Sequence, residues 1–400
     1  MAEQGLLEED CKQVLKKFLN SDNFELSSFK IVNFRNPLQG LIGEHFTLRI
    51  GYVFKDENGS QDFFVKTLST NPFMSKFSKI IQVYEKEAFY FGLLDQFKRH
   101  QIDISFAPRG FFFKPYITVI EDLSSEFKGT PKRELFDLDH CLTSLEALAK
   151  FHASSIIYER CKSKELSKKY CIIDDYKELL EDKLEHNDNP LASKWLQASI
   201  EGLLQLIDLI RENHVSHDAF KEKLGEIQEL GNPQGLISGI LHSDLWTSNF
   251  LHRYKNGKPV ESKLLDFQTI KYGFVEQDIA EFLMTNTCRT FRSQNSKLLI
   301  EHYYKNLQQC LGLKGLPSTE DFLQSCDNYM LAGKIRAILD HTFTFVADEI
   351  YVDVLKSEES FRKFLFDERG KWIIESYNKN EKFKNMLYED VLELRDMLFS

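Results

Sequence analysis

An α+β chain in two lobes, a small antiparallel-sheet lobe followed by a larger, mainly helical one, is what this sequence predicts. Three observations lead there. Strand-like runs rich in aromatic and branched residues crowd residues 45–123; from about residue 134 the apolar spacing becomes helical; and 400 residues exceed what one compact core usually holds.

The elements follow in order. Residues 5–19 place Leu6, Cys11, Val14, Leu15 and Phe18 near one helical face. "HFTLRIGYVF" (45–54) and "QDFFVKTL" (61–68) read as strands, and "KDENGS" between them carries an Asn-Gly turn signal. Residues 76–97 set Phe77, Ile80, Ile81, Tyr84, Ala88, Phe91 and Leu94 on one helical stripe. "FFFKPYITVIEDL" (111–123) gives two short strands around a Lys-Pro break. Helical stretches follow at 135–159, 191–213, 292–311 and 318–338, with a strand-like island at 236–268 and a charged amphipathic run at 356–398. The expected division is an N-terminal helix at 1–24, a sheet lobe at 25–123 and a helical lobe at 124–400.

Composition narrows the partners. With 51 basic and 61 acidic residues the net charge is −10, which argues against nucleic acid, so a phosphate compound would have to be met by a metal or a few placed lysines. Seven scattered cysteines form no C-x-x-C pair, favouring a reducing compartment over a disulfide framework or a zinc site. The acidic N-terminus does not read as a signal peptide, and no run approaches the length of a membrane span. A cytoplasmic protein is expected.

The chemistry concentrates in "LHSDLWTSNF" (241–250) and "KLLDFQ" (263–268). Three readings compete for His242, Asp244, Asn249 and Asp266. In a phosphotransfer loop, Asp244 accepts the proton of an attacking hydroxyl while Asn249 and Asp266 hold Mg²⁺ on ATP phosphates; the spacing matches H-R-D-x-x-x-x-N. A metallohydrolase would use His242, Asp244 and Asp266 as ligands, but no further histidine cluster completes the set. A lone H-x-D is more often turn caps around a core histidine.

The front of the chain favours the first reading. Lys66 shares its strand face with Phe64 and Leu68, and Glu87 falls on the inward stripe of the next helix, where a buried lysine and glutamate should pair. An exposed strand lysine and a surface glutamate are the plain alternative. Gly40 and Gly43 precede a strand, as in a phosphate loop or a simple turn. "ITVIEDL" (117–123) closes the first lobe where a hinge would lie, so that backbone groups at Glu121 and Leu123 could read adenine; an edge strand is the alternative.

Together "HSDLWTSNF", "LLDFQTIKYGFVEQDIAEFL", "FFVKTL", "VYEKEAFYF", "VIEDL" and "LEALAKFHASS" resemble the ecdysteroid kinase-like family, which carries a choline-kinase-like domain related to aminoglycoside phosphotransferases. The resemblance implies a bilobal protein-kinase-like fold and ATP-dependent phosphorylation of a small-molecule hydroxyl. It implies that Asp244 is the catalytic base, Asn249 and Asp266 the Mg²⁺ ligands, Lys66 the phosphate-binding lysine and Glu87 its orienting partner. Ser243 departs from the glycine the family usually has there, and the glycine-rich segment is poorly matched. Twelve positions separate Asp266 from Asp278 and no A-P-E follows, which leaves no room for a segment that docks a polypeptide; Asp278 reads either as a tie to the catalytic loop or as a helix cap. The expected acceptor is apolar: an ecdysteroid, or a related steroid, phenol or glycoside. Tyr329, Phe343, Phe345, Tyr351 and Trp372, with Asp340, Asp348 and Glu349, are the residues offered for it. A cationic acceptor of the choline or aminoglycoside type, or an inactive kinase-fold binding module, are the alternatives.

Overall fold

The computed structural model describes residues 5–33, 43–131, 134–181, 190–210, 214–230, 233–346 and 348–399. Its elements run α1 (Glu8–Leu19), β1 (Glu25–Asn33), β2 (Gly43–Phe54), β3 (Glu57–Leu68), α2 (Pro72–Ile80), α3 (Val83–Arg99), β4 (Gly110–Lys114), β5 (Ile117–Glu121) and β6 (Phe127–Gly129). The second part begins with α4 (Leu138–Leu166), α5 (Ile172–Leu180), α6 (Pro190–Leu209) and α7 (His217–Leu230). Then come β7 (Ser238–Leu241), β8 (Phe250–Lys255), β9 (Lys258–Leu264), β10 (Lys271–Phe274) and α8 (Val275–Asn286). The chain closes with α9 (Arg289–Leu311), α10 (Thr319–Thr344), α11 (Asp348–Leu355), α12 (Glu358–Phe366), α13 (Arg369–Lys379) and α14 (Glu381–Phe399). None of the described helices is long and apolar enough to cross a membrane.

The front sheet is antiparallel, in the order β1-β2-β3-β5-β4. Strand β1 had no counterpart in the sequence reading, because "ELSSFKIVN" mixes polar and apolar positions too evenly to stand out. Helix α1 belongs to this sheet's core: Cys11, Val14 and Leu15 are buried with Leu48, Phe63 and Val119. The hairpin between β2 and β3 turns at Lys55 and Asp56, both at positive φ, and not at Asn58-Gly59. Gly59 lies inside β3 opposite Tyr52, whose ring would stand 2.5 Å from any Cβ placed there.

Two expected helices are broken. The stripe at 76–97 divides at Gln82, in the left-handed region at φ 58°. The break lets Phe73 and Phe77 of α2 reach Phe366 of α12, while Lys86 and Glu87 of α3 are buried elsewhere. The run at 356–398 divides into α12, α13 and α14. Arg369, buried at the α12–α13 junction, donates to the carbonyls of Phe364 and Leu365 and stacks on Trp195, Phe343 and Phe364. A guanidinium placed there caps the free carbonyls of α12 and ends it.

The abundant phenylalanine fills the junction between the two parts. Tyr90 and Phe91 of α3 pack on Phe267 at 4.5 and 5.8 Å, and Phe151 of α4 stacks on the same ring at 6.0 Å. Helix α3 is thus pinned beside Asp266. A second core joins α6, α7, α10, α12, α13 and α14, which accounts for much of 160–230, a stretch the motifs did not reach.

Candidate functional site

Lys66 sits on β3 between His45 and Thr118 of the neighbouring strands, and only 6% of it is exposed. Its Nζ lies 2.6 Å from Asp266 Oδ1, 3.0 Å from Gln268 Oε1 and 3.7 Å from Glu87 Oε1. The expected Lys66–Glu87 pair is present, but Asp266 is the closer partner. Burial works against the ammonium charge, yet Asp266 and Glu87 outweigh it and hold the lysine protonated. Burial pushes Glu87 up to about 7, with Lys66 pulling the other way, and Glu87 Oε2 has no hydrogen-bond partner.

The loop after β7 is fixed largely from α8. The backbone N–H groups of His242 and Ser243 donate to the two oxygens of Asp278, at 2.7 and 3.2 Å, and His152 contacts the same carboxylate at 3.0 Å. Asp278 therefore ties the loop, the first of its two sequence readings. Leu245 N–H donates to Glu281 at 3.0 Å, and Asn286 donates to the Leu245 carbonyl at 2.5 Å. His152, Glu281 and Asn286 are supports that sequence spacing could not expose. His242 donates from Nε2 to the carbonyl of Leu265 at 2.8 Å, which leaves it a neutral core histidine and removes that nitrogen from any metal set. Ser243 sits at φ 59°, a conformation glycine adopts without strain, and its hydroxyl is buried without a partner.

These ties present Asp244 and Asn249 together. The Asn249 amide donates from Nδ2 to both the backbone and the carboxylate of Asp244, each at 2.8 Å. Leu265 N–H donates to the Asn249 carbonyl at 2.9 Å, joining the loop to the segment that carries Asp266. Asp266 itself stands at φ 64°, with its carboxylate aimed back at Lys66. Burial, then Asp266 and Asp340, push Asp244 up to about 7, against Arg336 and the Asn249 bond. A carboxylate in that range suits proton acceptance near neutral pH. With both amide contacts spent on Asp244, Asn249 keeps Oδ1 for a cation; with Asp266 it offers the hard oxygen donors that Mg²⁺ prefers, so the donor set fits that ion.

The remaining expected residues are less uniform. Gly40 lies outside the described residues. Gly43 starts β2, where an added Cβ would stand 2.6 Å from the Thr67 carbonyl and 2.8 Å from the Tyr84 hydroxyl, so close packing already requires glycine. Glu121 pairs its backbone N–H and its carboxylate with the backbone of Arg109. The Leu123 carbonyl accepts from Glu126 and Phe127, closing a turn into β6.

Beyond Asp244, helix α10 supplies Arg336 and Asp340, joined at 3.0 Å. Trp246 packs on Phe345 at 6.1 Å, and the guanidinium of Arg336 lies 6.0 Å from the Trp195 ring. Tyr329 is core, its hydroxyl donating to the Pro233 carbonyl at 2.5 Å. Phe343 packs against Phe364, Trp372 lies on α13, and the side chains of Asp348, Glu349 and Tyr351 lie outside the described residues. Trp246 and Arg336 were not among the acceptor residues offered from sequence.

A family model described as the ecdysteroid kinase-like family matches residues 43–315, well over half of the chain. No curated protein matches. Among solved structures the chain is similar to the Plasmodium vivax ethanolamine kinase, at 13% identity over 94% of this chain and 89% of that one, with a TM-score of 0.42. It is similar to a macrolide 2′-phosphotransferase from Brachybacterium faecium, at 12% identity over 86% of this chain and 96% of that one, TM-score 0.40. It is also similar to a choline kinase from Streptococcus pneumoniae, at 13% identity over 82% of this chain and 99% of that one, TM-score 0.34.

Proposed function

The chain belongs to the ecdysteroid kinase-like family, and from that membership and the site geometry we propose an ATP- and Mg²⁺-dependent kinase that phosphorylates a hydroxyl of an apolar acceptor. Membership makes it a small-molecule phosphotransferase. The acceptor class is an ecdysteroid or a related steroid, phenol or glycoside. One observation carries the reading: Lys66 and Asp266, two hundred residues apart, meet at 2.6 Å with Glu87 behind the lysine.

In this reading Asp244 accepts the proton of the acceptor hydroxyl as the oxygen attacks the γ-phosphorus. Lys66 holds the α- and β-phosphates, and Glu87 keeps the ammonium in place. Asn249 and Asp266 would hold Mg²⁺, which when bound offsets phosphate charge. Backbone groups of Glu121 and Leu123 would face the adenine, with the Leu123 N–H as donor because its carbonyl is engaged, and Gly43 would border the phosphates above Lys66. Seven free cysteines fit a reducing cytoplasm.

The apolar acceptor is supported by the partly exposed ring of Trp246, two residues after the base, and by Arg336, which balances Asp340 where an acidic cage for a cation would need that carboxylate unpaired. ATP consumption against ecdysteroids, phenols, glucosides and choline tests it. Turnover is expected with one of the uncharged classes. Turnover with choline alone overturns the acceptor assignment.

A further inference from the structure

Gln268 touches both Lys66 and Asp266 without carrying a charge. It follows Asp266 by two positions, in a short 3₁₀ turn, and is buried, whereas the Asp266 side chain is 24% exposed. Its Oε1 accepts from Lys66 Nζ at 3.0 Å and its Nε2 donates to Asp266 Oδ2 at 3.0 Å. The orientation of this amide is not free: an ammonium only donates and a carboxylate only accepts, so reversing the amide would break both bonds at once.

The consequence concerns how Asp266 presents itself to a cation. Among the described residues Oδ1 is bound by Lys66, whose ammonium in the proposed reaction serves phosphate oxygens. Oδ2 is bound by a buried amide from the same turn. When Lys66 turns to phosphate, Oδ1 is released and Oδ2 stays engaged. Glu87 Oε2, buried and unpartnered, gives the ammonium a second acceptor on that side. Resting on the kinase reading, we propose that Gln268 is a positioning residue that commits Asp266 to grip the divalent ion through Oδ1 only, and thereby favours magnesium over calcium. The reason is coordination chemistry. Magnesium demands near-octahedral geometry with single-oxygen carboxylate contacts, while calcium takes more ligands and readily accepts both oxygens of one carboxylate.

The test titrates Mg²⁺ and Ca²⁺ separately against the intact protein in fixed ATP and follows the nucleotide-dependent rise in melting temperature. The wild-type protein should need less Mg²⁺ than Ca²⁺ for half of the effect. Gln268→Leu removes both amide bonds and should raise the Mg²⁺ midpoint by about tenfold, the usual cost of losing a group that orients a metal ligand, with a smaller change for Ca²⁺. Gln268→Glu, nearly the same shape, keeps an acceptor for Lys66 but loses the donor to Asp266; it should lower the same Ca²⁺/Mg²⁺ ratio and serves if the leucine variant does not fold. An unchanged ratio in the variant that folds overturns the inference while the kinase reading stands. Absence of any nucleotide-dependent shift in the wild-type protein overturns that reading, and this inference with it.

Discussion

Two of the buried clusters of charge among the described residues are built differently. One lies in the helical part: Lys334 reaches Asp390 and Glu393 at 2.5 Å each, His341 contacts Asp390 at 2.8 Å and the Thr285 carbonyl at 3.0 Å, and Arg292 pairs with Glu393. Both Asp390 oxygens are engaged there. The other is the Lys66–Glu87–Asp266 group, where Glu87 leaves an oxygen without a partner and Asp266 is open to solvent. A buried carboxylate that is fully bonded serves the fold. One left short of partners in a partly open site is waiting for something the chain does not itself supply.

That contrast can be broken at several points. The largest effect belongs to Asp244→Asn, which should lower kcat by roughly 10³-fold yet keep the Mg²⁺·ATP thermal shift; steady-state rates and melting curves on the same samples check both halves. Next comes Asp390→Asn. Burial opposes ionisation of Asp390, but Lys334 and His341 outweigh it and hold the carboxyl well below its usual range. A depressed carboxylate contributes stability that is present above its unfolded pKa, near ~3.9, and is lost as pH falls through the folded value. The variant should therefore unfold about 3 kcal/mol more easily at neutral pH, and its denaturation midpoint should fall less steeply below pH ~4. An ATP KM that stays at the wild-type value would place the cluster outside the reaction.

Glu87→Gln should reverse that pattern, with a smaller loss of stability than Asp390→Asn and a several-fold rise in the KM for ATP. Equal losses of stability in the two variants would mean that both clusters serve the fold alike. The smallest effect is expected from Ser243→Gly. Relief of the left-handed backbone and of the buried hydroxyl should stabilise the protein by about 1 kcal/mol with little change in rate, read by urea unfolding.

The sequence made Asp266 visible because it stands among apolar neighbours, between Leu265 and Phe267, and Asp244 and Asn249 because of their H-x-D-x-x-x-x-N spacing. Glu87 was legible through helical spacing alone, and its burial agrees. What escaped has a common cause. Gln82 acts through backbone angle, Arg369 through rings distant in sequence and Gln268 through a bond to Lys66, and none of these leaves a pattern of charge or period along the chain. The same holds for the hairpin: Asn58-Gly59 offers the better turn chemistry, but the long pairing of β2 with β3 and the Tyr52 ring fix the bend at Lys55 and Asp56 instead.

The rings of Phe73 and Phe77 against Phe361 and Phe366, at 5.8 to 6.2 Å, make a clasp between α2 and α12. The polypeptide already crosses from sheet to helices at residues 122–126, so this contact is a second tie between the two parts. Swinging the sheet outward would have to unseat four aromatic side chains or drag α12 along, and α12 rests on α6 and α13. The sheet part and the C-terminal helices are thereby mechanically joined through α2 and α12, away from the chain crossing itself.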